Sequence, residues 1–390
     1  MNVPKLRFKE FNDEWIETKI QNVATVIGGG TPSTDEPKYW GNEINWFTPS
    51  EIGKTKYVTI SNRKISQDGL KNSSAKLLPK GTILLSSRAT VGEASILLNE
   101  ASTNQGFQSL IVNENNCNEF IYYLKYKYKR EMLIKSFGST FLEISKSNVE
   151  NIKIKIPSKE EQFMIANFLS LLDKKIELQT KKIEDLKLFK KGLLIKEFNN
   201  KKSSNKLKEC FDFGKAGGTP KSTNKDYYNG YIPFLSISDM TTQGKYIYYT
   251  DKSITEAGLN NSTAWLVPKN SIIISMYASY GLVSINKIDL TTSQAMFNMV
   301  INKNYVVEYI YYYLYYLYIS NFYNSIVSTG TQSNLNSEQI KLLDIYIPCY
   351  NEQKRIYEQF SKIDFKINLE QKKINELLYL KKSLMQNMFV

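Results

Sequence analysis

The 390-residue chain contains no histidine. That one absence removes Ser-His-Asp triads, two-histidine metal sites and HNH-type nucleases. Cysteine is almost as scarce: Cys117, Cys210 and Cys349 are isolated and odd in number. They imply neither a disulfide framework nor a zinc ribbon, and they fit a reduced, intracellular (cytoplasmic) compartment. Long apolar runs are missing too. The tyrosine-rich stretch Tyr305 to Tyr323 is too short to span a bilayer and carries Glu308, and its counterpart at 120–128 is interleaved with Lys125 and Lys127. It reads as a packed helix, so no membrane is implied. Met1 to Glu14 is charged and lacks the apolar core of a signal peptide. Gly53-Lys54-Thr55 is preceded five positions earlier by Thr48 where a Walker loop needs glycine. There is no Asn-Pro-Pro-Tyr or Asp-Pro-Pro-Tyr motif for adenine methylation, and no nuclease constellation of carboxylates with lysine.

Negative charge is also in short supply. Thirty-eight acidic residues face 51 lysines and arginines, a formal charge of +13. With 13% aromatic residues the chain is basic but globular. A surplus of this size points first to a polyanion, of which nucleic acid is the commonest. The length predicts two or three domains.

What the chain does contain, it contains twice. From Gln162 to Phe198, apolar residues fall at Ile165, Leu169, Leu172, Ile176, Ile183, Leu186 and Leu193. Steps of four and three are the heptad spacing of a helix that pairs with another helix. Adding 191 gives Ile356, Phe360, Ile363, Ile367, Ile374, Leu377 and Leu384 in Gln353 to Phe389. The interruptions repeat as well: Asp173, Gln179 and Lys190 return as Asp364, Glu370 and Lys381. Each copy opens on Ile-Pro and a short spacer ending in Glu-Gln, and closes on Lys-Lys-x-Leu and a final Phe. A helix of this length spans roughly 55 Å. The economical arrangement is two long helices packed on each other, with Leu169, Leu172, Ile176, Gln179, Ile183 and Leu186 facing Phe360, Ile363, Ile367, Glu370, Ile374 and Leu377. An antiparallel pair would bring Gln179 and Glu370 together near its middle.

The segments before each helix also repeat. Gly29-Gly30-Thr31-Pro32 is answered by Gly217-Gly218-Thr219-Pro220 at an offset of 188, and Pro79-Lys80 by Pro268-Lys269 at 189. Gln105 is answered by Gln294, and Tyr122-Tyr123-Leu124 by Tyr312-Tyr313-Leu314 at 190. The glycine clusters mark tight loops, Thr82 to Ser86 reads as a buried strand, and Glu119 to Ser136 as a helix. Asn199 to Asn205 is a polar linker. Surface residues diverge: Arg88 faces Tyr277, Asn270 stands where Gly81 is, and Lys54-Thr55-Lys56 has no evident counterpart. The predicted fold class is α+β (mixed α/β). The expected domains are 1–155, a helix at 156–200, a second domain at 201–347 and a second helix at 348–390.

This order of motifs, doubled at nearly one offset over the whole chain, resembles the DNA-specificity subunit of type I restriction-modification systems. The resemblance implies two target-recognition domains, each reading half of a bipartite double-stranded DNA site, related by a pseudo-twofold axis. The two helices would form an antiparallel coiled coil that docks two modification (methyltransferase) subunits, and restriction subunits would join to cleave. S-adenosylmethionine, ATP and Mg would be used by those partners and not by this chain. The phosphate-contacting candidates are Lys54, Lys56, Lys71 and Lys76 in the first domain and Lys215, Lys221, Lys225 and Lys245 in the second. Arg88, at the end of its strand, is the candidate for bidentate reading of guanine. Gln105 and Gln294 either reach bases or tie loops together, and the second is the expectation. A coiled-coil scaffold and a stand-alone DNA-binding protein are the alternatives.

Overall fold

The computed structural model describes residues 3–137, 142–199, 201–202, 205–277, 279–327 and 334–390. The linker expected at 199–205 lies partly outside the described residues. The long helices are α1 (Asn118–Ile134), α2 (Lys159–Phe198), α3 (Val307–Ile319) and α4 (Tyr350–Asn387). The chain forms two units, one of Met1–Gln179 with Lys373–Val390 and one of Thr180–Lys372.

In the first unit a five-stranded sheet runs Ala24–Gly28, Gln108–Val112, Ile83–Leu85, Ala94–Leu97, Tyr57–Val58, antiparallel until its last pair. Ile83, Leu84 and Leu85 are wholly buried. Ile83 and Leu85 join the core under α1, while Leu84 joins Phe47 and Phe107 on the other face. A strand buried on both sides needs the unbroken apolar run that its sequence has. A three-stranded sheet, Arg63–Ile65, Trp40–Phe47 and Ser102–Thr103, lies beyond, and Ile16–Lys19 pairs with Lys153–Ile156. Ile20–Val23 makes one helical turn and Ala24–Gly28 the edge strand.

The second unit repeats this plan. Its large sheet runs Phe211–Ala216, Met296–Ile301, Ile272–Ser275, Val283–Asn286, Tyr246–Ile247. Its small sheet is Lys252–Ile254, Tyr228–Leu235 and Thr291–Thr292. Gly81 and Asn270 turn out to serve one turn: φ is +87° at the first and +65° at the second. Asparagine is among the few residues that tolerate this left-handed region, so the substitution keeps the turn.

Both long helices start three residues before their predicted Gln. In the first unit α2 contributes Ile165, Leu169 and Leu172, α4 contributes Leu384 and Met385, and Met388 just beyond α4 joins them, in the core that holds Phe120 and Tyr123 of α1. In the second unit Leu194, Phe198, Ile356 and Phe360 do the same beneath α3. The predicted stripe faces inward. Leu169, Leu172, Ile183, Phe360, Glu370 and Ile374 are buried, and Ile176, Gln179, Leu186, Ile363, Ile367 and Leu377 are half-buried. Ion pairs give the direction. Asp173 meets Lys381 at 2.5 Å in the first unit, and Lys190 meets Asp364 at 2.5 Å and Lys182 meets Glu370 at 2.8 Å in the second. Low numbers on α2 meet high numbers on α4, so the helices are antiparallel. No described helix is long and apolar enough to cross a membrane.

Candidate nucleic-acid interface

The Gly-Gly-Thr-Pro loops are built alike in both units. A Cβ on Gly29 would lie 2.0 Å from the Asn104 carbonyl oxygen, and one on Gly217 2.1 Å from Thr292 Oγ1. Only glycine allows that approach. The Gly30 and Gly218 amides donate to the Thr103 and Thr292 carbonyls, both at 2.9 Å. Thr31 Oγ1 donates to Gln105 Oε1, and Thr219 Oγ1 to Gln294 Oε1, so both glutamines tie loops as expected. Aromatic groups brace the backbone from below. Trp46 Nε1 donates to the Gly30 carbonyl at 2.9 Å, Trp40 Nε1 to that of Ser33 at 3.0 Å, and the Tyr228 hydroxyl to that of Pro220 at 2.6 Å. The Arg63 guanidinium stacks 3.6 Å over the Trp40 ring.

Around these rigid loops Lys71, Lys76, Lys221 and Lys225 are exposed, as is Lys215 on the edge strand Phe211–Ala216. Lys76 follows Ala75, whose amide abuts Gly30, and Lys221 follows Pro220 directly. Arg88 lies 2.7 Å from the Glu143 carboxylate, so it reaches a base only by exchanging that partner.

Lys56 and Lys245 belong elsewhere. Lys56 Nζ lies 2.9 Å from Glu119 Oε2, donates to Ser170 Oγ at 2.6 Å, and sits 4.7 Å over the Tyr123 ring. Lys245 Nζ donates to the Tyr312 hydroxyl at 2.8 Å and lies 3.6 Å from Asp364. Both ammonium groups make their contacts inside the fold, so either would have to exchange these partners to reach a phosphate. Lys54 stays exposed but lines a cleft beside α1, α2 and α4.

These two lysines also correct the repeat. The Lys56 carbonyl accepts from Ile96 N and that of Lys245 from Ile285 N, both at 2.8 Å. Lys56 therefore has a counterpart after all, at an offset of 189. The tyrosines shift with them. The Tyr123 hydroxyl donates to Asp173 and that of Tyr312 to Asp364, both at 2.6 Å, so Tyr123 answers Tyr312 at 189 and not Tyr313. Asp173 and Asp364 are the centres of equivalent nodes. Each carboxylate gathers a tyrosine from the domain helix and a lysine from the partner helix (Lys381 or Lys190). Burial pushes the Lys245 ammonium down to about 8, an effect that Asp364 opposes without overcoming. Burial pushes the Glu119 carboxyl up, but hydrogen bonds from Tyr57, Lys56 and Ser170 outweigh it and leave the net shift downward.

The Glu-Gln signature gains a role. Gln162 Oε1 accepts the Cys117 amide at 2.9 Å and Gln353 Oε1 the Val306 amide at 3.0 Å, each just before a domain helix. Their Nε2 groups donate back to the Pro157 and Pro348 carbonyls. Glu161 takes Arg7 through both oxygens, at 2.8 and 2.7 Å. The closing phenylalanines lock the same helices: Phe389 packs on Trp15 and Phe120, Phe198 on Tyr309 and Tyr313. Among the described residues no cluster of His, Cys, Asp and Glu is arranged to hold a metal ion.

The chain is 34% identical over 284 residues to the type I restriction enzyme MjaIX specificity subunit of Methanocaldococcus jannaschii, covering 67% of this chain and 65% of that protein. It is 28% identical over 175 residues to the EcoR124I/EcoR124II specificity subunit of Escherichia coli, 43% of each. It thus spans less than two thirds of either relative. Its fold matches the crystal structure of a type I restriction-modification S subunit from M. genitalium, with a TM-score of 0.58, 19% identity and 100% and 99% of the two chains covered. It also matches a chain from a study of complex assembly and conformational transition in the type I system, with a TM-score of 0.63, 16% identity and coverage of 96% and 97%. The family described as type I restriction modification DNA specificity domain matches residues 12–188 and again 199–379, one copy after the other along nearly the whole chain. With the duplicated scaffold and its two antiparallel helices, that double match establishes that the chain belongs to the type I restriction-modification DNA-specificity family.

Proposed function

We propose that this protein is the sequence-reading subunit of a type I restriction-modification complex. Each α/β domain (1–155 and 201–347) reads one half of a bipartite double-stranded DNA target. The chain catalyses nothing itself. Two modification subunits, using S-adenosylmethionine, methylate adenines, and restriction subunits, using ATP and Mg, cleave, all in the cytoplasm. The observation that carries this reading is the pair of Gly-Gly-Thr-Pro loops held by the same glycine, amide and Thr–Gln contacts, with nearby exposed lysines that differ between the units. A conserved frame with variable chemistry suits two half-sites of different sequence. Lys71, Lys76, Lys215, Lys221 and Lys225 would hold phosphates, and Arg88 would read a base after releasing Glu143. The outward faces of the long helices carry exposed apolar side chains, among them Leu171, Leu178, Leu188 and Phe365. Such patches mark protein docking surfaces and suit the modification subunits.

Selection of bound duplexes from a random pool, using the chain with its modification subunit, tests the proposal. Two short specific blocks separated by an unspecified spacer are expected. A pool without enrichment would overturn the reading in favour of a scaffold, and turnover by the chain alone would make it an enzyme.

A further inference from the structure

We infer that the first unit holds a docking cleft for an acidic segment of a protein partner, whereas the second unit carries apolar or aromatic residues at four of the equivalent charged positions, so that the two partner sites are chemically unequal. The inference rests on the partner-docking reading above and gives it a chemistry.

The cleft, about 1290 Å³, opens between the 53–57 loop, α1 and the flanks of α2 and α4 within the first unit. Seven lysines line it against three carboxylates. Two of those carboxylates are already occupied: Glu93 lies 2.5 Å from Lys129 and Asp173 2.5 Å from Lys381. Lys54, Lys174 and Lys382 are exposed and, among the described residues, make no ion pair. Lys125 is the most unusual of the set. It has no carboxylate partner among the described residues, only a 3.3 Å hydrogen bond to the Ala94 carbonyl and a position 4.2 Å over the Tyr122 ring. A cation partly withdrawn from water, with Glu93 and Asp173 acting on it only from beyond ion-pair contact, favours an incoming anion. Burial pushes its ammonium down to about 8.

Size and rim decide what kind of anion. Small-ligand sites enclose roughly 300–1,000 Å³, and this cleft is larger and bordered by Leu171 and Leu378, 68% and 48% exposed. A peptide segment with carboxylates for the lysines and an apolar side chain for the two leucines fits it. The second unit keeps Lys245, Lys190 and Lys191 where the cleft has Lys56, Lys381 and Lys382, and puts Lys362 and Lys187 in place of Leu171 and Leu378, but it loses charge elsewhere. Glu93 and Lys125 are replaced by Leu282 and Leu314 at an offset of 189, Lys129 by Tyr318, and Lys174 by Phe365 at 191. Leu314 is fully buried, and the Tyr311 and Tyr315 rings, which answer Tyr122 and Tyr126, stack with centroids 5.9 Å apart.

Native mass spectrometry and calorimetry of the full chain with its modification subunit test this inference. Two subunits are expected at about 0.1 M salt, and raising the salt several-fold removes one of them by screening. The triple variant Lys54→Glu, Lys174→Glu, Lys382→Glu changes only exposed side chains and should melt like the parent. It is expected to weaken one site at least about tenfold and leave the other intact. Lys125→Leu is expected to reduce the salt dependence of that same site, and Phe365→Glu to weaken the other one. Unchanged uptake of two subunits by the triple variant would overturn the inference. So would loss of DNA binding with both subunits retained, which would make the cleft a DNA surface. A parent chain that takes up no subunit at all would overturn the partner-docking reading together with the inference.

Discussion

Gln162 and Gln353 are nearly inaccessible, and each closes a circuit between a proline carbonyl and the first amides of a domain helix. Gln162→Ala would leave the buried Cys117 amide without its acceptor, at a cost of about 1–3 kcal/mol. A urea unfolding midpoint that does not move would refute this. Lys245 carries a second residue-scale consequence. Its ammonium loses its proton near 8 in the fold but near 10.5 in the unfolded chain. Across that window the unfolded chain binds the extra proton, so stability rises with pH by up to roughly 1.4 kcal/mol per unit. Below pH 8 both states hold the proton and the penalty of burial is complete. Relative to Lys245→Met, the parent should therefore gain stability between about pH 8 and 10.5. A constant difference between the two proteins would deny that Lys245 is desolvated.

At the scale of elements, the long helices are held by reciprocal acid–base nodes as well as by apolar packing. Asp173→Lys and Lys381→Asp should each lose about 1–3 kcal/mol by stranding a partly buried partner. Combining them restores an opposite-charge pair and should recover most of the loss. Purely additive losses in this double-mutant cycle would mean that the two side chains do not interact. Gly192 sits on an exposed stretch of α2 with nothing near its would-be Cβ, so Gly192→Ala should stabilise by about 0.5–1 kcal/mol in thermal melts. The sequence made much of this legible: the heptad register, its 191-residue repeat, and the recurrence of Asp173 and Lys190 as Asp364 and Lys381. Which acid meets which base was not legible, because an antiparallel fold pairs each copy's aspartate with the other copy's lysine. The tyrosine phase was lost for a different reason. A run such as Tyr311-Tyr312-Tyr313 aligns with its counterpart at several offsets, and only the hydrogen bond to the aspartate selects one. Lys56 and Lys245 hid behind loops of unlike sequence. Lys125 belongs to no motif, and its lack of a counter-ion exists only in three dimensions.

At the scale of the whole molecule, the proposed reading makes the two domains independent. Replacing residues 1–155 with the matching domain of a relative should change one block of the methylated motif and preserve the other, as read by sequencing modified bases in cells that supply the partner subunits. Simultaneous change in both blocks would refute modular reading. The expectation follows from two separate cores, one assembled around Trp15, Phe120 and Tyr123 and the other around Tyr309, Tyr312 and Phe360.

Those cores differ in how the chain supplies them. The second is drawn from one continuous stretch, Thr180–Lys372, whereas the first recruits Lys373–Val390 from the far end, with Phe389 against Trp15 and the Leu6 amide donating to the Asn387 carbonyl at 2.9 Å. Order of synthesis and order of completion are therefore reversed. The part translated first must wait, with its apolar face unsealed, until the ribosome has made the part that closes it, and the part translated second is finished sooner. A premature stop between codons 373 and 390 would accordingly damage the first unit and spare the second.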